Sequence, residues 1–466
     1  MKKIILSALV VFFLYSCSTE TVPNDALIDD TAYRNVADLQ LGFNGAMGSY
    51  SNRSITTFNS IFTDECRIGA DNGGQQIQLH NQQIDANEGQ SGAIWVGLYA
   101  SINRFNRIIE AAQNISPASN SEQIQYNNIL GYCYAMRALC HLDLMNHYTV
   151  DISDLNSLAV PYIKIVVRSE RLPRNTVAEV RDGIIEDLEI ADGLITNTNV
   201  TLPTKRFVNF VKAKTYFLTN NYSAALTAAS LIIDEADSPL TLSSGSNYQD
   251  MFANDSNGEI IFKRFRTQNE GFAGGIWYFT GTGGAFMEMS NKMFLSLPPT
   301  ADVRRDVLFD EPSFIADNTK LLINKYPGRN GIPFFNDDKV IRLSELFLIK
   351  AECQARLSQF SDAVVTLNEI RTARGAELID PATVTTFLNA ANTILAERFI
   401  ELGYEGHRYV DIKRLRNVTN VGIVRNSSDC GGGVPCDLAV SDHRFTLPIP
   451  TREMDQNPNM VQNPGY

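Results

Sequence analysis

Apolar residues recur at helical spacing over much of the chain. The stripe Ile94, Leu98, Ile102, Phe105, Ile108 and Ile109 predicts a helix over Trp95 to Ala112. Ile124 to His147 predicts a second, longer one. A third starts at Thr176, where Glu179 three residues on makes a capping box. Its apolar positions, Val177, Val180, Ile184, Ile185, Leu188 and Ala191, form one face suited to packing against other helices.

Two later segments resemble each other: AKTYFLTNNYSAAL (Ala213 to Leu226) and AECQARLSQFSDAV (Ala351 to Val364). Ala213 aligns with Ala351, Ala225 with Ala363 and Tyr222 with Phe360. The spacing resembles the tetratricopeptide helix pair, in which small residues let two helices approach and an aromatic plugs the turn. The copies lie too far apart for a continuous array, so an inserted region separates the helix pairs. That region, residues 237–340, is rich in Gly, Asn, Ser and Pro; EIIFKRF (Glu259 to Phe265) reads as a strand, and FAGGIWYFTGTGGAF (Phe272 to Phe286) concentrates glycine and aromatics. A similar irregular stretch spans residues 64–92, and long irregular segments in a compact fold are usually functional or disordered. The expected fold is all-α dominated: a tetratricopeptide-like helical-hairpin scaffold with long loop-rich insertions and a few short strands. Residues 31–466 are expected to form a single domain, with helical parts at 31–236 and 341–466 around the insertion at 237–340.

The first residues change the picture. Lys2 and Lys3 precede an almost wholly apolar run, Ile4 to Tyr15. Such a run rises about 18 Å as a helix, short of the roughly 30 Å hydrocarbon core, so it reads as a signal peptide. It ends at Leu14-Tyr15-Ser16-Cys17, which resembles a bacterial lipobox despite the bulk of Tyr15. In that class residues 1–16 are removed and Cys17 is acylated, leaving residues 17–30 as an acidic tether. No later segment reaches the length of a membrane span, so the anchor is lipid only. Without Lys2 and Lys3, 38 of the 40 basic residues remain against 52 acidic ones, a net charge of −14. That surface argues against nucleic acid, which is held by clustered Lys and Arg.

Cys430 and Cys436 flank a flexible Gly-Gly-Gly-Val-Pro turn, and an exported chain permits a disulfide there; a metal site is the disfavoured alternative. Cys133 and Cys140 lie on one helical face and read as buried hydrophobes. Glu397, Glu401 and Glu405 recur at helical spacing, with Arg398, Arg408 and Arg414 interleaved, the arrangement of a salt-bridged helical face rather than an acid–base pair. His141 and His147 point to different helix faces, and neither a nucleophile elbow nor a P-loop is present. Asp71 and Asn72 offer oxygens of the type calcium takes, yet an Asp-Asn-Gly-Gly turn forms without metal, so no cofactor is expected.

The C-terminal third carries a recognisable pattern. It includes IRLSELFLIKAEC (Ile341 to Cys353), LAERFIELGYEGHRYVDIKRL (Leu395 to Leu415) and FTLPIPTREMDQNPNMVQNPGY (Phe445 to Tyr466). Earlier segments agree: the Trp95…Leu98-Tyr99…Asn103…Asn106 run, Met136-Arg137-Ala138, and RNTVAEVRDGIIEDL from Arg174. The chain resembles the SusD/RagB nutrient-uptake family over nearly its whole mature length. The resemblance implies a non-enzymatic lipoprotein on the outer membrane of Bacteroidota, facing outward. It also implies a partner, a SusC-like TonB-dependent β-barrel transporter, to which the protein delivers oligosaccharides. Members of the RagB branch capture peptides instead, and a tetratricopeptide scaffold for protein partners is a further alternative.

Sugar binding calls for an aromatic ring against the apolar face of a pyranose, with amides and carboxylates on the hydroxyls. Trp277, with Tyr278 and Phe279 beside it in a glycine-flanked loop, is the primary candidate, either as ligand platform or as the plug of the insertion's own core. Trp95 continues a helical stripe and reads as structural. Family members often place ligand residues in the loop before Trp95 as well, which makes Asp71, Asn72, Gln75, Gln76 and His80 secondary candidates.

Overall fold

A computed structural model describes residues 32–87, 89–279 and 281–466. The signal peptide, Cys17 and the whole tether lie outside the described residues.

Helices α1 (Val36–Ser49) and α2 (Arg53–Ile61) precede the two long helices α3 (Gly89–Ala112) and α4 (Asn120–Tyr148). The helix expected over Ile124 to His147 thus begins four residues earlier, where Ser119 accepts the Glu122 amide and caps it. Helix α5 (Val177–Leu194) opens on the expected capping box: Thr176 N–H donates to Glu179 at 2.8 Å, and Glu179 N–H to the Thr176 hydroxyl at 3.3 Å. Its stripe faces α4 and α6 (Lys205–Leu218), with Ile185 only half buried. The stripe missed Asp187, which is buried under α4 and receives both arms of the Arg137 guanidinium at 2.6 and 2.7 Å.

The two similar segments fold alike. Helix α6 turns into α7 (Tyr222–Ile233), and α8 (Leu343–Arg356) into α9 (Phe360–Arg374). All four aligned alanines are buried, and both turns pass through a residue at φ +62°, Asn220 and Ser358. Tyr222 and Phe360 sit half buried at the turns, against the main core. Helices α10 (Phe387–Glu401) and α11 (Arg408–Thr419) complete the scaffold, with α8 at the centre against α6, α7 and α10. The architecture is therefore helical hairpins, and the strands among the described residues are short.

Those strands stitch distant parts of the chain together. β1 (Cys66–Ile68) pairs antiparallel with β3 (Met287–Met289), in the register Cys66 to Met289. The expected strand is β2 (Ile260–Arg264), antiparallel to β6 (Asp338–Arg342). β4 (Gly328–Arg329) and β5 (Ile332–Pro333) form a small hairpin, as do β7 (Ile423–Val424) and β8 (Asp437–Leu438). Beside β8, Cys430 and Cys436 are joined by a disulfide, their Cα atoms 5.3 Å apart. Cys66, Cys133, Cys140 and Cys353 are free and buried.

The glutamate stripe that starts on α10 and runs past its end to Glu405 is salt-bridged, as expected. The three carboxylates are interior, however, and their partners are not the interleaved arginines. Glu401 is held by Arg374 at 2.8 Å and Arg342 at 3.1 Å, and both guanidiniums also reach Glu259 of the insertion. Glu405 pairs with Arg342 and Lys325, and Glu397 with Arg304 and Arg371. Arg398, Arg408 and Arg414 turn instead to Asp411, Asp64 and Glu352. A buried charge persists only when paired, so this network ties the insertion to the helices. No helix among the described residues is long and apolar enough to cross a membrane.

Candidate functional site

The β1–β3 ribbon brings the two irregular segments singled out in the sequence against each other. Past β1, Gly69 donates its N–H to the Phe286 carbonyl at 3.1 Å. A Cβ there would stand 2.3 Å from the Ala285 carbonyl oxygen, so only glycine fits this crossing. Asn72 then fastens the turn. Its amide donates to the Phe286 and Gln75 carbonyls at 2.7 and 2.8 Å, and its carbonyl accepts the Gly74 N–H at 2.8 Å. Asn72 is buried by this work, which removes it from the ligand candidates. His80 is removed as well. It is fully buried, its Nε2 lies 3.1 Å from the Cys66 carbonyl, and burial pushes its pKa down to about 3, so it is a neutral interior group. Asp71 is exposed; Gln75 is exposed and Gln76 half buried, and both stand outside the lining described below.

The partner segment is a tight hairpin. A 3-10 turn, Ala273–Ile276, ends at Trp277, whose carbonyl accepts the Phe286 and Met287 amides. Tyr278 bridges to Ala285, Phe279 N–H donates to Gly284 O at 2.9 Å, and Gly283 N–H to Phe279 O at 2.7 Å, with Gly283 at φ +75°. Trp277 is 0 % exposed. Its ring lies parallel to Tyr326 at 6.1 Å and edge-on to Tyr404 at 5.4 Å, and its Nε1–H donates to the Ser60 hydroxyl at 3.2 Å. Tyr278 is buried too, stacked on Phe334 at 4.2 Å with its hydroxyl donating to the Ile323 carbonyl. Neither is a ligand platform: Trp277 is the plug of the insertion. Strand alternation would have put Trp277 and Tyr278 on opposite faces, but Trp277 ends a 3-10 turn with ψ −15°, and both rings enter the core.

Phe279 is the aromatic that stays outside. It is half buried, edge-on to Phe286 at 5.1 Å. With Asp71, Gly281, Thr282 and Gly284 it lines an open depression of about 730 Å³. The Asp71 carboxylate lies over Gly284, where a Cβ would come within 3.2 Å of its Oδ2. An aromatic face, a carboxylate and a hydroxyl thus converge on one concavity, the constellation that grips the polar and apolar faces of a sugar ring. Glu288 of β3 takes Arg67 of β1 at 2.6 Å and the amides of Ala70 and Leu321, which ties the residue before Asp71 to β3.

Residues 309–466 match the SusD family, and residues 23–216 match the family described as starch-binding, associating with the outer membrane. A SusD-like protein of Formosa agariphila is 26 % identical over the full length of both chains. A second from that organism is 24 % identical, over 97 % of this chain and 96 % of its own. Both ends of the chain thus match SusD-type models, and its relatives are SusD-like over their whole length. Among solved structures, a putative sugar-binding protein of Bacteroides vulgatus superposes with a TM-score of 0.78 at 25 % identity, covering 94 % of this chain and 100 % of its own. A SusD superfamily protein of Bacteroides thetaiotaomicron superposes equally well, at 24 % identity over 92 % of this chain and all of its own.

In this SusD-like chain, sequence reasoning named both segments that meet at the depression, but only Asp71 and Phe279 of its eight ligand candidates line it. It missed Gly281, Thr282 and Gly284. The signal for all three was the Gly281-Thr282-Gly283-Gly284 run shortly after Phe279, since glycines at a hairpin tip leave room for a side chain from a facing loop.

Proposed function

We propose that this protein captures oligosaccharide on the Asp71–Phe279 depression and hands it to a SusC-like TonB-dependent barrel transporter, while acylated Cys17 holds it on the outer face of the outer membrane. The single observation that supports the binding reading is the pairing of a half-exposed aromatic with a carboxylate and a hydroxyl in one open concavity. The names of its relatives, one a sugar-binding protein and others SusD-like, support the same substrate class. On this reading the protein binds and delivers; it does not transform its ligand. Phe279 supplies the stacking face, Asp71 accepts from sugar hydroxyls, and Thr282 completes the polar edge.

A glycan array on the purified protein, followed by calorimetry with the best ligand, tests it. Phe279→Ala and Asp71→Asn should each weaken binding at least tenfold, about 1.4 kcal/mol, with the melting temperature unchanged. Unaltered affinity in both variants, or peptides bound at this depression in place of glycans, would refute the assignment. Cys17→Ser should abolish labelling by a palmitate analogue, and mild-detergent extraction with crosslinking should recover the barrel partner with the wild type.

A further inference from the structure

The two segments that meet at the Asp71–Phe279 depression carry no cation of their own. Past Arg67, the first runs through residue 92 without a Lys or Arg, and residues 267–291 hold none either. The one histidine in these stretches, His80, is buried and neutral. The flanking basic residues are committed elsewhere. Arg67 gives Nε and Nη2 to Glu288 at 3.1 and 2.6 Å, and Arg266 gives Nε and Nη2 to Asp338 at 2.9 and 2.5 Å. Lys292 donates to Asp64 at 2.6 Å and to the Val424 carbonyl at 2.7 Å. Among the described residues that line the depression, Asp71 is the one charged group.

That carboxylate is held from two sides. From behind, the Asn72 side-chain bonds and the Ala70 N–H, which donates to Glu288 at 3.3 Å, fix the backbone before and after Asp71. In front, Gly284 leaves the space that the side chain occupies. The three atoms nearest a Cβ built on Gly284 all belong to Asp71: Oδ2 at 3.2 Å, Cβ at 3.3 Å and Cγ at 3.4 Å. Gly284 is not among the glycines at positive φ, so an alanine fits its backbone, and the contact with Asp71 is what a methyl group would disturb. No described residue donates a hydrogen bond to the Asp71 carboxylate, so its charge is not neutralised from within the protein.

Given capture at this depression, we infer that the glycan it takes is uncharged: the protein accepts neutral oligosaccharides and turns away sulfated and uronate-bearing ones, and Gly284 is the residue whose missing side chain sets the discriminating carboxylate in place. A sulfate or carboxylate group is met in proteins by Arg or Lys, whose N–H donors match its oxygens. This site presents an anion instead, which accepts from neutral hydroxyls and repels a second negative charge. The Phe279 face packs against the apolar side of either kind of ring, so charge separates the two classes and apolar contact does not. Asp71 is exposed, so the repulsion is screened by salt.

Calorimetric titration at low salt with maltohexaose, laminarihexaose, xylohexaose and mannohexaose, then with a sulfated form of the tightest of them and with hexagalacturonate, tests this; the affinity that counts is the part Phe279→Ala removes. Both anionic probes should bind at least fivefold more weakly than the tightest neutral one, and sodium chloride at roughly 0.5 M should shrink that gap below twofold. Asp71→Asn should shrink it likewise at low salt while weakening the neutral probe. Gly284→Ala should leave the melting temperature unchanged and weaken the neutral probe at least threefold, yet add nothing in the Asp71→Asn background, a dependence that a merely structural glycine would not show. An anionic probe that matches or exceeds the tightest neutral one, a gap that Asp71→Asn leaves intact, or a Gly284→Ala loss that persists undiminished beside Asp71→Asn would overturn the inference and leave capture at the depression standing. Neutral binding that neither Phe279→Ala nor Asp71→Asn alters, or no binding by any of these probes, would instead sink the capture reading on which the inference rests.

Discussion

Replacing Trp277 by Ala removes the largest fully buried side chain of the insertion, and the neighbours left behind are poorly able to fill the space. Tyr404 is fully buried and Tyr326 nearly so, and each is fixed by other contacts: Tyr404 by the Glu65 carbonyl at 3.1 Å, Tyr326 within the core beside Lys339. Trp→Ala changes in cores cost about 3–5 kcal/mol, less where the site collapses and more where it does not. A rigid aromatic lining puts this site in the upper part of that range. The Ser60 hydroxyl also loses its indole donor, which adds roughly 1 kcal/mol. Trp277→Ala should therefore cost about 4–5 kcal/mol, and Trp277→Phe, which keeps a ring but not the donor, about 1–2 kcal/mol. Urea unfolding followed by circular dichroism reads both, as a shift in midpoint at constant slope. Glycan affinity, measured on the folded variant, should not change. A loss under about 1.5 kcal/mol for Trp277→Ala, coupled to a tenfold fall in glycan affinity, would refute the plug and return Trp277 to the binding surface.

Three further outcomes follow from the interior. Burial pushes His80 and His141 down to about 3 and His147 to about 4, below the unfolded value near 6.5, so each contributes stability above pH 6.5 that is lost as pH falls towards 4. The slope is at most about 1.4 kcal/mol per pH unit for each histidine, and His80→Gln should remove one such share from urea midpoints measured over that window; an unchanged slope refutes it. Glu65 has the opposite sign: burial raises its carboxyl to about 8 from 4.5, so its contribution is complete below pH 4.5 and lost as pH rises through 8, and Glu65→Gln should gain on the wild type at pH 8 and above in the same assay. Cys436→Ser opens a short loop and should cost about 2 kcal/mol without altering glycan affinity; wild-type protein that alkylates at both Cys430 and Cys436 without reduction would contradict the disulfide.

Much of the fold was legible in the sequence because helices announce themselves locally. The stripes of α3 and α5, the Thr176–Glu179 capping box and the aligned alanines of the two hairpins depend on neighbours within one or two turns, and the structure places all of them as read. The strand at Glu259 to Phe265 was readable for the same reason, as a run of β-branched and aromatic residues.

What the sequence left open was decided by contacts between residues far apart in the chain. Glu401 looked like part of a helical face bridged by its own interleaved arginines because those are local; its actual partners, Arg342 and Arg374, arrive from β6 and α9. Trp277, Tyr278 and Phe279 are consecutive, and composition could not say which faced water. Tertiary packing chose: Tyr326 and Tyr404 close over Trp277, Phe334 covers Tyr278, and Phe279 remains outside beside Asp71. The Asp71–Phe279 pairing spans about two hundred residues and exists only because β1 and β3 pair. A sequence pattern records which residues suit burial or binding in general, whereas the loop closure that brings two such residues together is fixed by the fold as a whole.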